Sequence, residues 1–240
     1  MAEAKQAPVA AVVGVGPGLG AALARRFARE YAVAINARNA KYLQSLAGEI
    51  RGTGGHVLEV PADISDRAQV EAAFASIRER LGPPEVLLYN AGSGTWGTVT
   101  DITPEQYEST WRVNAYGAFL SAKAVVPDMV ARGRGVILFT GATAGVKAGP
   151  KSAAFGPAKF ALRGLTQSLA RDLGPKGIHV AWVNVDGVID IPGRRERIPQ
   201  LQEEDLLKPD AIAETYWHLA HQDRSAWTLE LEVRPFKEKF

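Results

Sequence analysis

The chain has 240 residues, of which 46% are apolar and 22% are charged, as in a globular protein with a sizeable core. Its 28 basic and 26 acidic residues leave a formal net charge of +2, which is too even to indicate nucleic acid or an anionic membrane as the partner. Because the sequence contains no cysteine, disulfides, thiolate catalysis and zinc–thiolate sites are excluded.

Apolar runs of strand length alternate with segments of helical periodicity along the chain. The predicted strands cover residues 8–14, 32–37, 56–62, 85–90, 135–140, 178–185 and 227–233. The early runs are continuously apolar, which is typical of a parallel sheet covered on both faces. The pattern therefore predicts an α/β fold, a single Rossmann-type doubly wound parallel sheet of about seven strands with helices on both faces.

A glycine-rich loop follows the first predicted strand and leads into a helix. Glycines permit the positive φ angles of a tight turn and let a pyrophosphate approach the backbone closely. The N-terminus of the next helix offers free N–H groups and the positive end of its dipole to that anion. We therefore predict a dinucleotide site formed by Gly14, Gly16, Gly18, Leu19 and Gly20.

The end of the second predicted strand indicates which dinucleotide is bound. An acidic residue near this point accepts hydrogen bonds from the adenosine ribose of NAD(H), whereas an arginine accommodates the 2′-phosphate of NADP(H). Here Ala37 is followed by Arg38, and neither position is acidic. We therefore predict that NADP(H) is preferred over NAD(H), although Arg38 could also be a solvated surface residue.

The sequence predicts one domain over residues 1–240, without repeats or a linker. Thr103, Pro104 and Gln106 form the pattern of a helix start with a capping box. The four histidines show no metal-ligand spacing, so we expect no metal. The N-terminus has no apolar signal core, and no apolar run is long enough to span a membrane, so we expect a cytoplasmic protein.

An aromatic residue and a lysine, Phe155 and Lys159, stand one helical turn apart near the start of a long predicted helix. A tyrosine at 155 would provide a phenol whose ionised form is favoured by the neighbouring ammonium, which makes a good general acid. Phe155 has the ring without the hydroxyl. Either the pair is a packing accident, or an active site is retained without its usual acid.

The least regular stretch lies between the sixth predicted strand and a later helix, and is rich in proline, arginine and acidic residues. Because open α/β sheets bind ligands beyond the carboxyl ends of their strands, we predict that residues 188–205 form a lid over the substrate. Trp96 would line the same pocket. Arg194, Arg195 and Arg197 could attract an acidic group, although a charged loop is more often simply solvated.

The motifs occur in an order that resembles the short-chain dehydrogenase/reductase family over nearly the whole chain. In sequence they are the glycine loop, Asp63 after the third predicted strand, the YNAG motif at 89–92, Asn114 in RVNAYGAF, and Lys159. The resemblance implies an NADP(H)-dependent oxidoreductase that acts on a small molecule. It also implies a homo-oligomer, a tetramer or a dimer, that pairs through the helices at 104–132 and 152–174.

The resemblance assigns roles to matching positions. Lys159 would bind the hydroxyls of the nicotinamide ribose, Asn114 would hold a water of the proton relay, and Asp63 would cap the adenine. Other positions implied to bind the cofactor are Ile64, Asn90, Ala91, Gly92, Gly187 and Val188.

The departures from the family pattern are concentrated at the catalytic positions. The family's tyrosine falls at Phe155 and its serine at Ala142, so neither hydroxyl is present. The proline-glycine after the sixth strand is Asp186-Gly187, and the threonine expected near Ile191 is absent. The chain resembles a subgroup with phenylalanine for tyrosine and the lysine kept.

Three functions remain compatible with these departures. The first is an NADPH-dependent reductase of a carbonyl, imine or enone that uses another acid or a substrate that needs none, since an iminium accepts hydride without protonation. Other acids to consider are Thr143, Asp186, Ser93, Tyr89 and, through water, Lys159. The second is a silent NADP(H)-binding sensor or subunit. The third, a non-redox lyase or hydratase, has least support because no replacement base is evident. We favour the first.

Overall fold

The computed structural model describes residues 7–238 of the chain. The strands, in chain order, are β1 (Val9–Val13), β2 (Ala32–Ala37), β3 (Val57–Pro61), β4 (Val86–Tyr89), β5 (Gly135–Thr140), β6 (Ile178–Val185), β7 (Val188–Ile189), β8 (Leu206–Leu207) and β9 (Glu230–Val233). The α-helices are α1 (Leu19–Phe27), α2 (Ala40–Gly52), α3 (Arg67–Arg80), α4 (Pro104–Trp111), α5 (Gly117–Arg132), α6 (Phe155–Leu173), α7 (Arg194–Arg197) and α8 (Pro209–Ala220). A π-helical turn over Arg112–Tyr116 joins α4 to α5.

Seven strands form a parallel sheet in the order β3-β2-β1-β4-β5-β6-β9, which confirms the predicted fold class. Every predicted strand coincides with one of these seven, with its ends moved by three residues at most. The additional strands β7 and β8 pair with each other in a separate two-stranded sheet. Because the order reverses between β1 and β4, their carboxyl ends border a crevice, where open α/β sheets bind ligands.

Helices cover both faces of the sheet, which explains why a central strand such as β1 is continuously apolar. On one face, Leu43 of α2 and Ile212 of α8 are buried against the sheet. On the other face, Val70 of α3 and Leu162 of α6 are buried in a second core. The predicted capping box begins α4, with Thr103 and Gln106 each bonded to the other's backbone. Among the described helices, none is both long and apolar enough to cross a bilayer.

Candidate active site and dinucleotide cleft

A cavity of about 810 Å³ opens at the carboxyl ends of β1, β2, β3 and β4, within the size range of small-molecule sites. Its walls are the glycine loop, the residues that follow β2, β3 and β4, and the segment that follows β7. The predicted cofactor residues that line it are Gly14, Gly16, Gly18, Leu19, Gly20, Arg38, Asp63, Ile64, Asn90, Ala91 and Gly92. The structure therefore brings together eleven residues that the sequence analysis assigned to one site.

The glycine loop turns so tightly that Gly14 and Gly20 have no room for a Cβ atom beside the neighbouring backbone. Gly14 has a φ of 85°, and a Cβ there would lie 2.3 Å from the backbone of Ala91. A Cβ on Gly20 would lie 2.6 Å from the carbonyl oxygen of Gly14. Gly16 differs, because a Cβ there would have no described atom within 4 Å. Gly16 therefore faces open space on the cavity wall, where a ligand could approach the backbone.

Hydrogen bonds from the neighbouring strands hold the glycine loop in place. The backbone N–H groups of Gly14 and Val15 both donate to the carbonyl oxygen of Asn36, at 3.0 and 2.8 Å. Asn90 donates from Nδ2 to the Gly14 carbonyl at 2.9 Å and accepts at Oδ1 from the Thr140 hydroxyl at 3.2 Å. The side chain of Asn90 thus fixes the loop, a role that sequence spacing did not indicate.

Arg38 and Asp63 flank the far end of the cavity. The Arg38 side chain is 80% exposed, and its Nη1 lies 4.0 Å from Asp63 Oδ2. Partial burial opposes ionisation of Asp63, but hydrogen bonds from the Ser65 hydroxyl and N–H and the charge of Arg38 outweigh it, so the pKa of this carboxyl is below its usual value. Arg38 is thus held loosely, and its guanidinium can still meet an anion that enters the cavity.

None of the four predicted catalytic residues, Lys159, Asn114, Phe155 and Ala142, is among the residues that line the cavity. Lys159 and Asn114 lie buried together behind Gly92, which does line it, and we call this position the catalytic end. A Cβ on Gly92 would lie 3.5 Å from Asn114 Oδ1 and 3.7 Å from Lys159 Nζ. Lys159 donates to the Thr140 carbonyl at 2.9 Å, and burial lowers the pKa of its ammonium to about 8.

Asn114 is oriented by the π-helical turn, a distortion that often occurs at functional sites. Its Nδ2 donates to the carbonyls of Ser93 and Thr110, at 2.7 and 2.9 Å. Its Oδ1 is buried and has no hydrogen-bond partner among the described residues. Because buried polar atoms are nearly always satisfied, this oxygen is suited to accept from a bound water or ligand.

Phe155 opens α6 and is only partly buried, so it is not a packed core residue. Its ring lies 5.0 Å from the Trp96 ring, centroid to centroid, and 5.6 Å from Lys159 Nζ. Backbone bonds from Gly97 N to Lys151 O and from Ala153 N to Gly97 O tie the Trp96 loop to the start of α6. The two rings therefore form an apolar wall beside Lys159.

The residues considered as substitute acids have different surroundings. Ala142 precedes Thr143, whose hydroxyl donates to Asp186 Oδ1 at 2.5 Å. Asp186 is buried, with Arg234 Nη1 at 4.0 Å from its other oxygen. Tyr89 is fully buried, its hydroxyl donates to the Val113 carbonyl, and burial raises the pKa of its phenol. Tyr89 is therefore part of the core, whereas Ser93 lines the cavity.

The segment after β6 reaches the cavity at positions different from those predicted. Gly187 and Val188 are not among the residues that line it, whereas Ile189, Ile191 and Arg194 are. At Gly187, with a φ of 145°, an added Cβ would meet Pro235 at 2.8 Å. Ile191 packs over the glycine loop so closely that a Cβ on Gly18 would lie 2.5 Å from its Cγ2. The start of the predicted substrate lid thus borders the cavity beside the glycine loop. The contact between Ile191 and Gly18 could not be predicted from the sequence, which indicated only that this segment follows a strand.

Comparison with known proteins identifies relatives over most of the chain. Residues 8–199 match the profile of the family described as short chain dehydrogenase. The short-chain dehydrogenase/reductase eriH of Hericium erinaceus is 38% identical over 177 residues, which cover 71% of this chain and 70% of that protein. A solved short-chain dehydrogenase from Rhodopseudomonas palustris is 34% identical, with a TM-score of 0.83 over 95% of this chain and 99% of that one. A metagenomic short-chain oxidoreductase in complex with NADP is 28% identical, with the same TM-score over 95% of this chain and 96% of its own.

Proposed function

The chain belongs to the short-chain dehydrogenase family, whose matched members include oxidoreductases, and we propose that it is an NADPH-dependent reductase that works without the family's tyrosine and serine hydroxyls. Its substrate would be a small carbonyl, imine or enone. A second function, a silent NADP(H)-binding protein, is favoured by one observation, the loss of both hydroxyls at Phe155 and Ala142.

The observation that carries the proposal is the buried pair of Lys159 and Asn114 directly behind Gly92 of the cavity wall. Burying an ammonium with a single backbone hydrogen bond is unfavourable, and so is burying the unpartnered Oδ1 of Asn114. Such costs are typical of sites that bind or react rather than of packing. The pair opens toward Gly92, where a ligand in the cavity would meet it.

The described residues fit a dinucleotide along the cavity. Gly16 leaves room for close approach of a pyrophosphate, and the N-terminus of α1 presents unpaired N–H groups to it. Arg38 would take the 2′-phosphate, with the glycine loop, Asp63 and Ile64 along the adenosine half. Lys159 would bind the ribose at the other end. The NADP that is bound to the metagenomic relative supports this choice.

When bound, the reduced nicotinamide supplies the hydride. The chain must then either donate a proton to the substrate or act on a substrate that needs none. Ala142 and Phe155 have no proton to donate. Lys159 has a pKa of about 8, and a general acid is most effective when its pKa lies near the working pH. Asn114 Oδ1 can accept a hydrogen bond from a water that also contacts Lys159 Nζ. We assign proton delivery to Lys159 through that water, with Asn114 as its positioning residue.

Neither Trp96 nor Phe155 is among the residues that line the cavity, but their rings favour a particular kind of substrate. Trp96 and Phe155 present aromatic surface next to Lys159, so the reacting group would be attached to an apolar body that packs on these rings. An iminium would need no proton at all, and it would suit a site that lacks two donors.

A turnover screen with NADPH over ketones, imines and enones, with NADPH binding measured on the same preparation, tests the proposal. We expect binding together with reduction of at least one class, and loss of reduction in Lys159→Met. Binding without turnover of any class would favour the silent protein. Failure to bind NADPH or NADH would refute both functions.

We also infer a homo-oligomer that pairs through α4, α5 and α6. These helices leave large apolar side chains exposed, among them Trp111, Phe119 and Phe160. Exposed apolar faces often mark association surfaces, and most soluble oligomers are two-fold symmetric. Light scattering at micromolar concentration should report a dimer or tetramer, and a monomer would contradict the inference.

A further inference from the structure

Three arginines stand close together in α7, and their surroundings differ. Arg195 donates from Nη2 to Asp190 Oδ2 at 3.1 Å. Arg197 donates from Nε to the Gly193 carbonyl at 2.9 Å. Arg194 lines the dinucleotide cavity, and its Nε is buried without a hydrogen-bond partner among the described residues. One of the three is thus unsatisfied, and it is the one at the cleft.

The position of Arg194 follows from the way its segment is anchored. β7 pairs with β8, and the N–H of Asp190 donates to the Leu207 carbonyl at 2.9 Å, so the chain is fixed just before it crosses the cleft. Ile191 then packs over Gly18. The Arg194 N–H donates to the Ile191 carbonyl at 2.9 Å, and Arg194 lines the same cavity as the glycine loop.

An anion between this guanidinium and the glycine loop would accept hydrogen bonds from both Arg194 and the backbone N–H groups of the loop. The segment from 187 to 205 contains no serine or threonine, so its side chains offer no hydroxyl to a phosphate. Arginine has five N–H donors in a planar fork that matches phosphate oxygens. The opposite wall carries the N-terminus of α1, which also favours an anion.

We propose that Arg194 binds the pyrophosphate of the dinucleotide from the side opposite the glycine loop, so that the 188–205 segment closes on the cofactor. The inference rests on the proposed dinucleotide site. Arg194 and Arg38 follow different strands, β7 and β2, and stand on different walls of the cavity. Arg194 would therefore serve NADPH and NADH alike, whereas Arg38 would serve the 2′-phosphate of NADPH.

Titration of NADPH, NADH and ADP-ribose against wild type, Arg194→Ala, Arg194→Lys and Arg195→Ala tests this assignment. A lost charge-assisted contact should weaken all three ligands by about 10- to 100-fold in Arg194→Ala. Arg194→Lys should lose less, because it keeps the charge without the fork. Arg195→Ala, the matched control in the same helix, should bind as wild type does. The melting temperature of the ligand-free Arg194→Ala protein should not fall, since no described partner is lost.

Several results would overturn the assignment. Wild-type affinity in Arg194→Ala would remove Arg194 from the site. A loss confined to NADPH would mean that it contacts the 2′-phosphate, and a loss for NADH but not ADP-ribose would place it at the nicotinamide. An equal loss in Arg195→Ala would indicate a diffuse charge effect. Wild-type protein that binds none of the three ligands would defeat the proposed function itself, and the assignment with it.

Discussion

The two ends of the cavity differ in what their side chains are bonded to. At the dinucleotide end, the glycine loop is fixed by hydrogen bonds to Asn36 and Asn90, and its shape follows from close backbone contacts. At the catalytic end, Lys159 stands beside the rings of Phe155 and Trp96, with one backbone carbonyl as its hydrogen-bond partner in the described structure. The groups at the first end are held in place by hydrogen bonds, whereas at the second end Phe155 and Ala142 offer no hydroxyl to Lys159.

This difference separates binding from proton transfer. The cofactor would be held by backbone shape, Arg38 and the α1 N-terminus, none of which contacts Ala142 or Phe155 in the described hydrogen-bond network. We therefore expect that the absence of hydroxyls at positions 142 and 155 does not affect dinucleotide binding. Each end can be perturbed without the other, which makes the separation testable.

The largest effect is expected at the glycine loop, from Gly14→Ala compared with Gly16→Ala. An alanine at 14 would adopt a positive φ and meet the Ala91 backbone at 2.3 Å, so unfolding should require about 2–5 kcal/mol less. An alanine at 16 meets no described atom within 4 Å, so stability should change by less than about 1 kcal/mol. Its methyl group would enter the cavity, however, and weaken NADPH binding.

Urea unfolding of both ligand-free variants, with NADPH titration of the stable one, measures these effects. Equal destabilisation by the two substitutions would contradict the described geometry of the loop. Full NADPH affinity in Gly16→Ala would show that the pyrophosphate does not approach the backbone there.

At the catalytic end, Lys159→Met should alter how stability depends on pH. The pKa of Lys159 is lowered from 10.5 to about 8 by burial, so between these pH values the unfolded chain holds a proton that the folded chain has released. This difference makes wild-type stability rise from about pH 8 to pH 10.5, and the cost of the buried ammonium is fully present below pH 8. Relative to Lys159→Met, wild type should gain about 2–3 kcal/mol between pH 7 and pH 10.

Urea unfolding of both ligand-free proteins at pH 7 and pH 10 provides this measurement. The comparison with Lys159→Met removes the contributions of other groups that titrate in the same range. Parallel pH profiles for the two proteins would mean that the Lys159 ammonium is solvated or paired, and that its neutral form is not favoured.

A smaller effect is expected for Arg38→Ala, at the adenosine end. A charge-assisted contact to the 2′-phosphate contributes on the order of 1.5–3 kcal/mol, and since Arg38 is 80% exposed we expect the lower limit, about tenfold in affinity. NADPH affinity should fall while NADH affinity stays the same, as measured by titration of both cofactors. Equal wild-type affinities for the two cofactors would contradict the predicted preference.

The sheet could be predicted from sequence because its strands are buried on both faces. The run at 9–13, for example, is continuously apolar, and it forms the fully buried strand β1. The capping box at Thr103 and Gln106 could also be predicted from the sequence, because it depends on residues only three positions apart. The π-helical turn at Arg112–Tyr116 was not predicted, because one extra residue shifts the apolar pattern only once, which is too little to recognise in a single sequence.

The site was predictable where a motif lies on one strand and its loop, and not where distant segments meet. The glycine loop, Asn90 and Lys159 carry local signals. The contact of Ile191 with Gly18 joins residues 173 positions apart, and it depends on how the chain returns after β6. The two-residue strands β7 and β8 are too short to show a period. The hydrogen bond from Thr143 to Asp186 also joins residues far apart in the sequence, and it was visible only in the structure.

The most direct test of the separation between binding and proton transfer is the double variant Ala142→Ser/Phe155→Tyr. Phe155 is partly exposed and one turn before Lys159, so the added phenol would meet solvent or substrate, and the neighbouring ammonium would favour its ionised form. A positioned acid contributes about 10²–10⁴-fold in rate, so kcat/KM for small ketones should rise within that range while NADPH affinity and melting temperature stay near wild type. A stable variant that binds NADPH and reduces ketones no faster than wild type would contradict the assignment of this site.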